Sequence, residues 1–333
     1  MNISLAFDNK YVPYAYVTLL SVFENNKDTD ITIYVLQYDL TDEAKHKLEK
    51  LCNKYGNQII YLFVDTSHFE GKLPTLQKWP VEVYFRLLLP DLLPEAVDRI
   101  LYLDSDMIIN SSLSELYDQD LDDYDMAACF DLYLLDTDLS TFLYYRSDKL
   151  SDLFTSKKYI NSGCLLLNID NLRKNYSIES YKAAAQELNN KIYAPDQDLI
   201  NYVHRGRIKL IDSKKYNCPA YIAYRENRGD VNIVKKNVTI LHFTGEKPWK
   251  GGSHAHYSIE SIWWEYAYKT DYSDEFQKHF IDECLNDETI LKQTTGNDEV
   301  KIALLQENAR LKQELSVTAE SMKKVLSIFE GKK

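Results

Sequence analysis

The chain has 333 residues, 45% hydrophobic and 27% charged, which fits a globular protein with one large α/β domain and a smaller addition. Its 51 acidic residues against 39 basic ones leave a net charge of −12, which excludes a general binder of nucleic acid or of anionic membranes. Five scattered cysteines (Cys52, Cys129, Cys164, Cys218, Cys284), odd in number and without CxxC spacing, exclude a disulfide framework or zinc site and fit reduced thiols in the cytoplasm.

The opening MNISLAFD is apolar but too short for the core of a signal peptide, and Asp8 ends it. ISLAF (3–7) and ITIYVLQY (31–38) predict strands, and YVPYAYVTLLSVFENN between them carries apolar groups at helical spacing. TDEAKHKLEKLCNKYG predicts a helix with Thr41 as its cap, acids in the first turn, Gly56 at its close and a core stripe of Ala44, Leu48, Leu51 and Tyr55. QIIYLFVD, ILYLD, MAACFD, GCLLLNI, RIKLID and VTILHF follow as further strands. Strands alternating with helices imply an α/β fold, a mostly parallel sheet flanked by helices. Such sheets bind ligands beyond the carboxyl ends of their strands, where Asp8, Asp104, Asp131 and His242 all fall.

One run is unusual. ILYLDSDMIIN (100–110) is apolar enough to be buried, yet carries Asp104 and Asp106 two residues apart. A buried carboxylate needs a positive partner. Alternate strand residues share a face, but both carboxylates converge on one ligand only where the strand ends and turns, and a hard divalent cation suits such a pair. By itself the Asp-x-Asp is weak evidence, since strand-end solvation explains it equally well.

Past residue 255 the pattern changes. IESIWWEYAYKTDYSDEFQKHFIDECL predicts a helical, aromatic cap (256–292), and the polar KQTTGNDE (292–299) separates it from a tail at 300–330. There Leu304, Asn308, Leu311, Leu315, Thr318, Met322, Val325 and Phe329 form a heptad seam with Asn308 at an a position. The tail is either a two-stranded coil, giving a homodimer, or one amphipathic helix.

The stretch VYFRLLLPDLLPEAVDRILYLDSDMIIN resembles glycosyltransferase family 8, the retaining nucleotide-sugar transferases. LAFDNKYVPYAYVTLLSV, AACFDL, YINSGCLLLNI, PDQDLIN and HFTGEKPW resemble further motifs of that family in the family's order, over residues 1 to about 250. The resemblance implies a GT-A-type catalytic domain (1–255) that binds a UDP-sugar donor. It assigns Asp104, Asp106 and His242 to a Mn²⁺ ion, with Mg²⁺ as the alternative. It places Ala6, Asp8, Tyr11, Arg86, Ser105, Asn161, Gly245 and Lys247 on the donor, and Gln197, Asp196 and Asp131 at the reacting sugar. A single residue separates Gly245 from Lys247 where the family commonly has two, so Lys250 competes with Lys247 for the phosphate. Lys10 stands where a small polar residue is frequent in the family.

A metal bridging a diphosphate neutralises the charge of the leaving group, and imidazole with carboxylates suits Mn²⁺. Retaining glycosidases use a carboxylate nucleophile. Here the resemblance instead places an amide, Gln197, at that position, which implies front-face displacement.

The expected activity is hexose transfer, glucose or galactose, from a UDP-sugar to a glycan, lipid-linked or protein acceptor. A lipid-linked acceptor would bring the enzyme to the inner face of the membrane. A UDP-sugar hydrolase and a non-catalytic sugar-nucleotide-binding scaffold are the alternatives; an Asp-x-Asp phosphatase lacks its nucleophile motif. The 132–158 segment between two site strands is the expected acceptor-facing insertion. Trp249, Trp263 and Trp264 line an acceptor path or pack against the domain, and Gly251, Gly252, His254 and His256 read as a lid.

Overall fold

The computed structural model describes residues 1–69, 73–74, 80–251 and 258–286. The polar break, the heptad tail, Gly252, His254 and His256 lie outside the described residues. No helix among the described residues is long and apolar enough to cross a membrane. The chain divides into two compact units, Met1–Pro248 with Tyr257–Ser273, and Trp249–His256 with Asp274–Lys333. In the second, the Gly251 N–H donates to Glu283 at 2.8 Å, and Glu283 lies 3.2 Å from His279 one helical turn away.

Among the described residues the first unit holds ten strands: β1 (Asn2–Ala6), β2 (Thr32–Gln37), β3 (Gln58–Phe63), β4 (Arg99–Leu103), β5 (Met107–Ile109), β6 (Met126–Phe130), β7 (Ile160–Asn168), β8 (Ile208–Ile211), β9 (Cys218–Pro219) and β10 (Ile240–His242). Seven form one sheet in the order β3-β2-β1-β4-β7-β6-β8, all parallel except β7, which runs against β4 and β6. A smaller sheet follows the order β5-β10-β9.

The inner strands of the large sheet are buried on both faces, which is why β2 reads as an unbroken apolar run, while the edge strands β3 and β8 stay partly exposed. Its Ile33 and Val35 pack with Leu19, Phe23 and Leu48 on one side, and Tyr34 and Leu36 with Phe85, Leu88 and Tyr102 on the other. Each such fully buried side chain contributes about 1.5–3 kcal/mol over its exposed state. The helix Asp42–Lys54 forms as its sequence predicts: Thr41 Oγ1 accepts from the Ala44 N–H, Ala44, Leu48 and Leu51 are buried, and Gly56 closes it at φ +72°. Trp263 is fully buried and Trp264 Nε1 donates to the Pro248 carbonyl, so both pack within this unit.

The Asp-Ser-Asp run is where the chain leaves one sheet for the other. β4 ends at Leu103 in the large sheet, and β5 begins at Met107 in the small one. Three side chains of the helix Val12–Glu24 and its cap, spaced 3 and 4 residues apart, take the place of a strand partner along this crossing. Thr18 Oγ1 lies 2.9 Å from the Ser105 and Met107 carbonyls, Ser21 Oγ accepts from the Ile109 N–H, and Asn25 donates to the Ile109 carbonyl.

Away from the strand ends, Asp125 is fully buried before β6 and accepts from His204 Nδ1 (2.8 Å), Arg207 Nε (2.8 Å) and Asn171. An ionised carboxylate only accepts, so His204 carries its proton on Nδ1 and takes the Tyr181 hydroxyl on Nε2. Burial pushes the His204 pKa down and keeps it neutral. Asp125→Ala strands these donors, and a loss of about 3–5 kcal/mol in urea unfolding is expected. A loss under 1 kcal/mol would show the network to be dispensable.

Candidate active site

Asp104 follows β4 directly, Asp106 precedes β5, and His242 is the last residue of β10. Antiparallel pairing of His242 with Met107, and a hydrogen bond from the Phe243 N–H to the Asp106 carbonyl (3.0 Å), bring the imidazole to the two carboxylates. His242 Nε2 lies 3.1 Å from Asp106 Oδ1 and 3.9 Å from Asp104 Oδ2. Atoms of all three residues fall within 4.8 Å of one another. Sheet membership was not readable beforehand: His242 ends a strand of the small sheet, while Asp104 ends one of the large sheet.

Hydrogen bonds fix which atoms face this point. Asp104 Oδ1 accepts from Arg86 Nη2 (2.9 Å) and the Tyr102 hydroxyl (3.0 Å), leaving Oδ2 towards His242. Lys247 Nζ takes Asp106 Oδ2, leaving Oδ1 buried without a hydrogen bond. Asn161 Oδ1 accepts from the Gly163 N–H (3.0 Å) and from Asn217 Nδ2 (2.9 Å), so the Asn217 carbonyl points the other way and accepts from His242 Nδ1 (2.7 Å). His242 Nε2 therefore presents a lone pair. Two carboxylate oxygens and an imidazole nitrogen, all acceptors, converge with no donor between them, a donor set that fits a hard divalent cation.

The space beneath the three is kept open by Gly163. A Cβ there would lie 2.5 Å from His242 Cε1, 2.7 Å from Asp104 Oδ2 and 3.1 Å from Asn161 Oδ1. Burial opposes charge on Asp106, but the Lys247 ammonium outweighs it and holds the carboxyl well below its usual range.

A second group sits on the other face of β7. Gln197, on the helix Pro195–Val203, donates from Nε2 to Asp131 Oδ2 (2.9 Å) and accepts the Ser162 N–H on Oε1 (3.1 Å), which locks its amide. Asp131 directly follows β6, and its Oδ1 accepts from the Tyr133 N–H. Asp196 Oδ2 lies 3.3 Å from Arg86 Nε, and Arg86 also donates to the Ser162 and Val83 carbonyls. Arg86 thus ties Asp104 to Asp196 while keeping two of its five N–H groups for other partners. Burial raises the pKa of both Asp131 and Asp196.

These groups share one pocket of about 650 Å³. Ala6, Phe7, Asp8 and Tyr11 line it, and Asp8 Oδ1 caps the turn Asn9–Tyr11 by accepting the Tyr11 N–H. Ser105, Asn161, Gly245 and Lys247 line it as well, and Lys10 is exposed. Gly245 adopts φ +82°, and the Tyr133 hydroxyl lies 3.1 Å from where its Cβ would be. Between the two lysines the sequence left open, Lys247 reaches Asp106; Lys250 belongs to the second unit.

Five buried oxygens without a hydrogen bond, in Glu82, Ser105, Asp106, Asp196 and Thr244, belong to residues lining this pocket. Unmet polar atoms of this kind mark a pocket built for a polar ligand. Sequence reasoning missed Glu82, Ser162, Asn217, Thr244, Arg146 and Tyr159. Asp198 Oδ1 joins the last two, bonding Arg146 Nε at 2.9 Å and the Tyr159 hydroxyl. Tyr159, Ser162 and Thr244 stand inside quoted motifs without a role being read for them, whereas Glu82, Asn217 and Arg146 lie outside any motif, and Asn217 and Arg146 work through partners distant in the chain.

Comparison with known proteins gives a consistent picture. The family model described as Glycosyl transferase family 8 matches residues 2–252. A lipopolysaccharide 1,2-glucosyltransferase of Escherichia coli is 27% identical over 255 residues, 74% of this chain and 73% of that one. A lipopolysaccharide 1,3-galactosyltransferase of Salmonella typhimurium is 27% identical over 254 residues, 74% and 72% of the two chains. The galactosyltransferase LgtC, solved with donor and acceptor sugar analogs, superposes with a TM-score of 0.68 over 81% of this chain and 96% of that one; at 23% identity this likeness speaks for the fold.

Proposed function

Because the chain belongs to glycosyl transferase family 8 and is a glycosyltransferase, we propose that it moves a hexose, glucose or galactose, from a UDP-sugar to a glycan or glycan-bearing acceptor, with retention of configuration and dependence on a divalent metal. The supporting observation is the convergence of Asp104, Asp106 and His242 as pure acceptors in the same pocket as the locked Gln197–Asp131 pair. The related glucosyl- and galactosyltransferases support a hexose donor.

Asp104, Asp106 and His242 would hold Mn²⁺ or Mg²⁺, which would supply charge neutralisation for the departing diphosphate. Lys247 spends two N–H groups on Asp106 and the Phe243 carbonyl and keeps a third for a phosphate oxygen. Gln197 Oε1 spends one lone pair on the Ser162 N–H and offers the other to positive charge growing at the anomeric carbon. Asp131 and Asp196 accept from sugar hydroxyls. Asp8, with Oδ1 engaged at Tyr11, presents Oδ2 to the nucleobase. The acceptor oxygen bonds to the anomeric carbon on the face the phosphate leaves, the carbon–phosphate-oxygen bond breaks, and the acceptor proton passes to the departing phosphate.

UDP release from a panel of UDP-sugars, with Mn²⁺, Mg²⁺ or EDTA and no acceptor, tests this reading. Slow metal-dependent release from one UDP-hexose is expected; fast release would make the protein a hydrolase. Gln197→Ala is expected to lower kcat for transfer by about a hundredfold with little change in donor KM. A full rate in that variant would remove the amide from the mechanism.

A further inference from the structure

The pocket continues past the residues given to the donor. Its remaining lining comes from the 132–158 segment and the approach to the helix Pro195–Val203, and includes Thr137, Thr141, Tyr145, Arg146 and Tyr193. Tyr145 is half exposed, with its ring centre 4.9 Å from that of Tyr193 at 46° and 4.8 Å from that of Tyr144 at 87°. The guanidinium carbon of Arg146 lies 4.7 Å from the Tyr193 ring centre.

This wall is braced from behind. Asp198 is fully buried; its Oδ1 takes Arg146 Nε and the Tyr159 hydroxyl, and its Oδ2 accepts the backbone N–H groups of Tyr193 (2.7 Å) and Ala194 (3.0 Å). One carboxylate therefore fixes the guanidinium under Tyr193 and the backbone that carries that ring. Tyr145 packs against a surface already ordered, so a ligand stacking there meets a low ordering cost.

Charge narrows what such a wall can take. Of the pocket's cations, Arg86 is paired with Asp104 and Asp196, Lys247 with Asp106, and Arg146 with Asp198. Asp8, Glu82 and Asp131 add negative charge on the donor side. Among the described residues the far wall offers tyrosine rings and threonine hydroxyls, with its single cation already neutralised. Pyranose rings have apolar C–H faces and equatorial hydroxyls, and that wall matches both. A phosphorylated or acidic acceptor would meet, among the described residues of this wall, one cation whose charge Asp198 already balances.

We propose that this wall is the acceptor subsite, and that it selects an uncharged saccharide stacked on Tyr145. The proposal rests on the donor reading above. It adds the class of acceptor and the residues that hold it.

The test uses the full chain, Mn²⁺ and whichever UDP-hexose releases UDP without acceptor. Acceptors are methyl and octyl glycosides of glucose, galactose and N-acetylglucosamine, and the methyl glycosides phosphorylated at the 3- or 6-position. Expected results are transfer to at least one neutral methyl glycoside, with kcat/KM at least tenfold lower for its phosphorylated forms. Tyr145→Ala should raise the acceptor KM about five- to tenfold while the UDP-hexose KM moves less than twofold, and Tyr145→Phe should restore it. Preference for phosphorylated glycosides, an unchanged acceptor KM in Tyr145→Ala, or transfer to none of the neutral glycosides while UDP release persists would each overturn the proposal. An effect confined to the octyl glycosides would assign the platform to the aglycone and overturn it as well. Absence of metal-dependent UDP release from every UDP-hexose would overturn the donor reading and this one together.

Discussion

Asp106→Asn should lower hexose transfer by roughly a thousandfold and abolish saturable Mn²⁺ binding. The substitution keeps shape and removes charge. Asparagine still accepts from Lys247 through its carbonyl, but the buried Oδ1, left without a hydrogen bond 3.1 Å from His242 Nε2, becomes neutral or is replaced by a donor. A divalent cation would then face one carboxylate, Asp104, whose charge is already shared with Arg86. The fold should tolerate the change. Lys247 retains an exposed edge and the Phe243 carbonyl, so the stability loss stays near 1–2 kcal/mol rather than the 3–5 kcal/mol of a sealed ion pair. Calorimetric Mn²⁺ titration beside transfer assays separates the two effects. Metal-stimulated transfer within tenfold of the native rate would sink the assignment.

Gly163→Ala is expected to be nearly as damaging through one methyl group. Its φ is ordinary, so the backbone accepts alanine; the clash alone does the harm. The new Cβ would press on His242 and Asp104, and neither can yield cheaply, because Asn217 holds the imidazole while Arg86 and Tyr102 hold the carboxylate. Overpacking of this kind costs about 1–3 kcal/mol. Moving either ligand should weaken Mn²⁺ binding by more than a hundredfold, within the range that disturbed ligand orientation produces. Gly206→Ala supplies the contrast: φ is +77° there, but nothing lies within 4 Å of the added carbon, so it should lose some stability and keep its metal affinity. Equal metal affinity in the two variants would show that the space at Gly163 serves another purpose.

Much of this was legible in the sequence, for identifiable reasons. The helix from Asp42 announced itself through Thr41, its acidic first turn and a clean stripe, and the apolar strand runs reported a sheet covered on both faces. Asp104, Asp106 and His242 could be named because they stand in short motifs at strand ends. Asn217 could not: an asparagine between Tyr216 and Cys218 carries no local signal, and its work depends on His242, 25 residues on, and Asn161, 56 residues back. The pairing of Arg146 with Asp198 spans 52 residues and was hidden for the same reason. Nor did periodicity reveal that β7 runs against its neighbours, since a strand covered on both faces reads alike in either direction.

That reversal bears on how such a chain can change over generations. β7 enters the site instead of leaving it, so Asn161, Ser162 and Gly163 arrive as three consecutive residues, with 161 and 163 turned to the cation site and 162 to Arg86 and Gln197. What aligns them is pairing with β4, Leu103 opposite Cys164, and the bond from the Asp104 N–H to the Gly163 carbonyl. A slip of one residue would put a side chain where the glycine must be. The register is therefore tightly constrained, whereas between Asp131 and Tyr159 the exposed positions, Leu139, Tyr144 and Tyr145 among them, can change while Phe142, Arg146, Leu150 and Leu153 stay buried. Under the acceptor assignment proposed above, substitutions at those exposed positions would change the acceptor without touching the cation site.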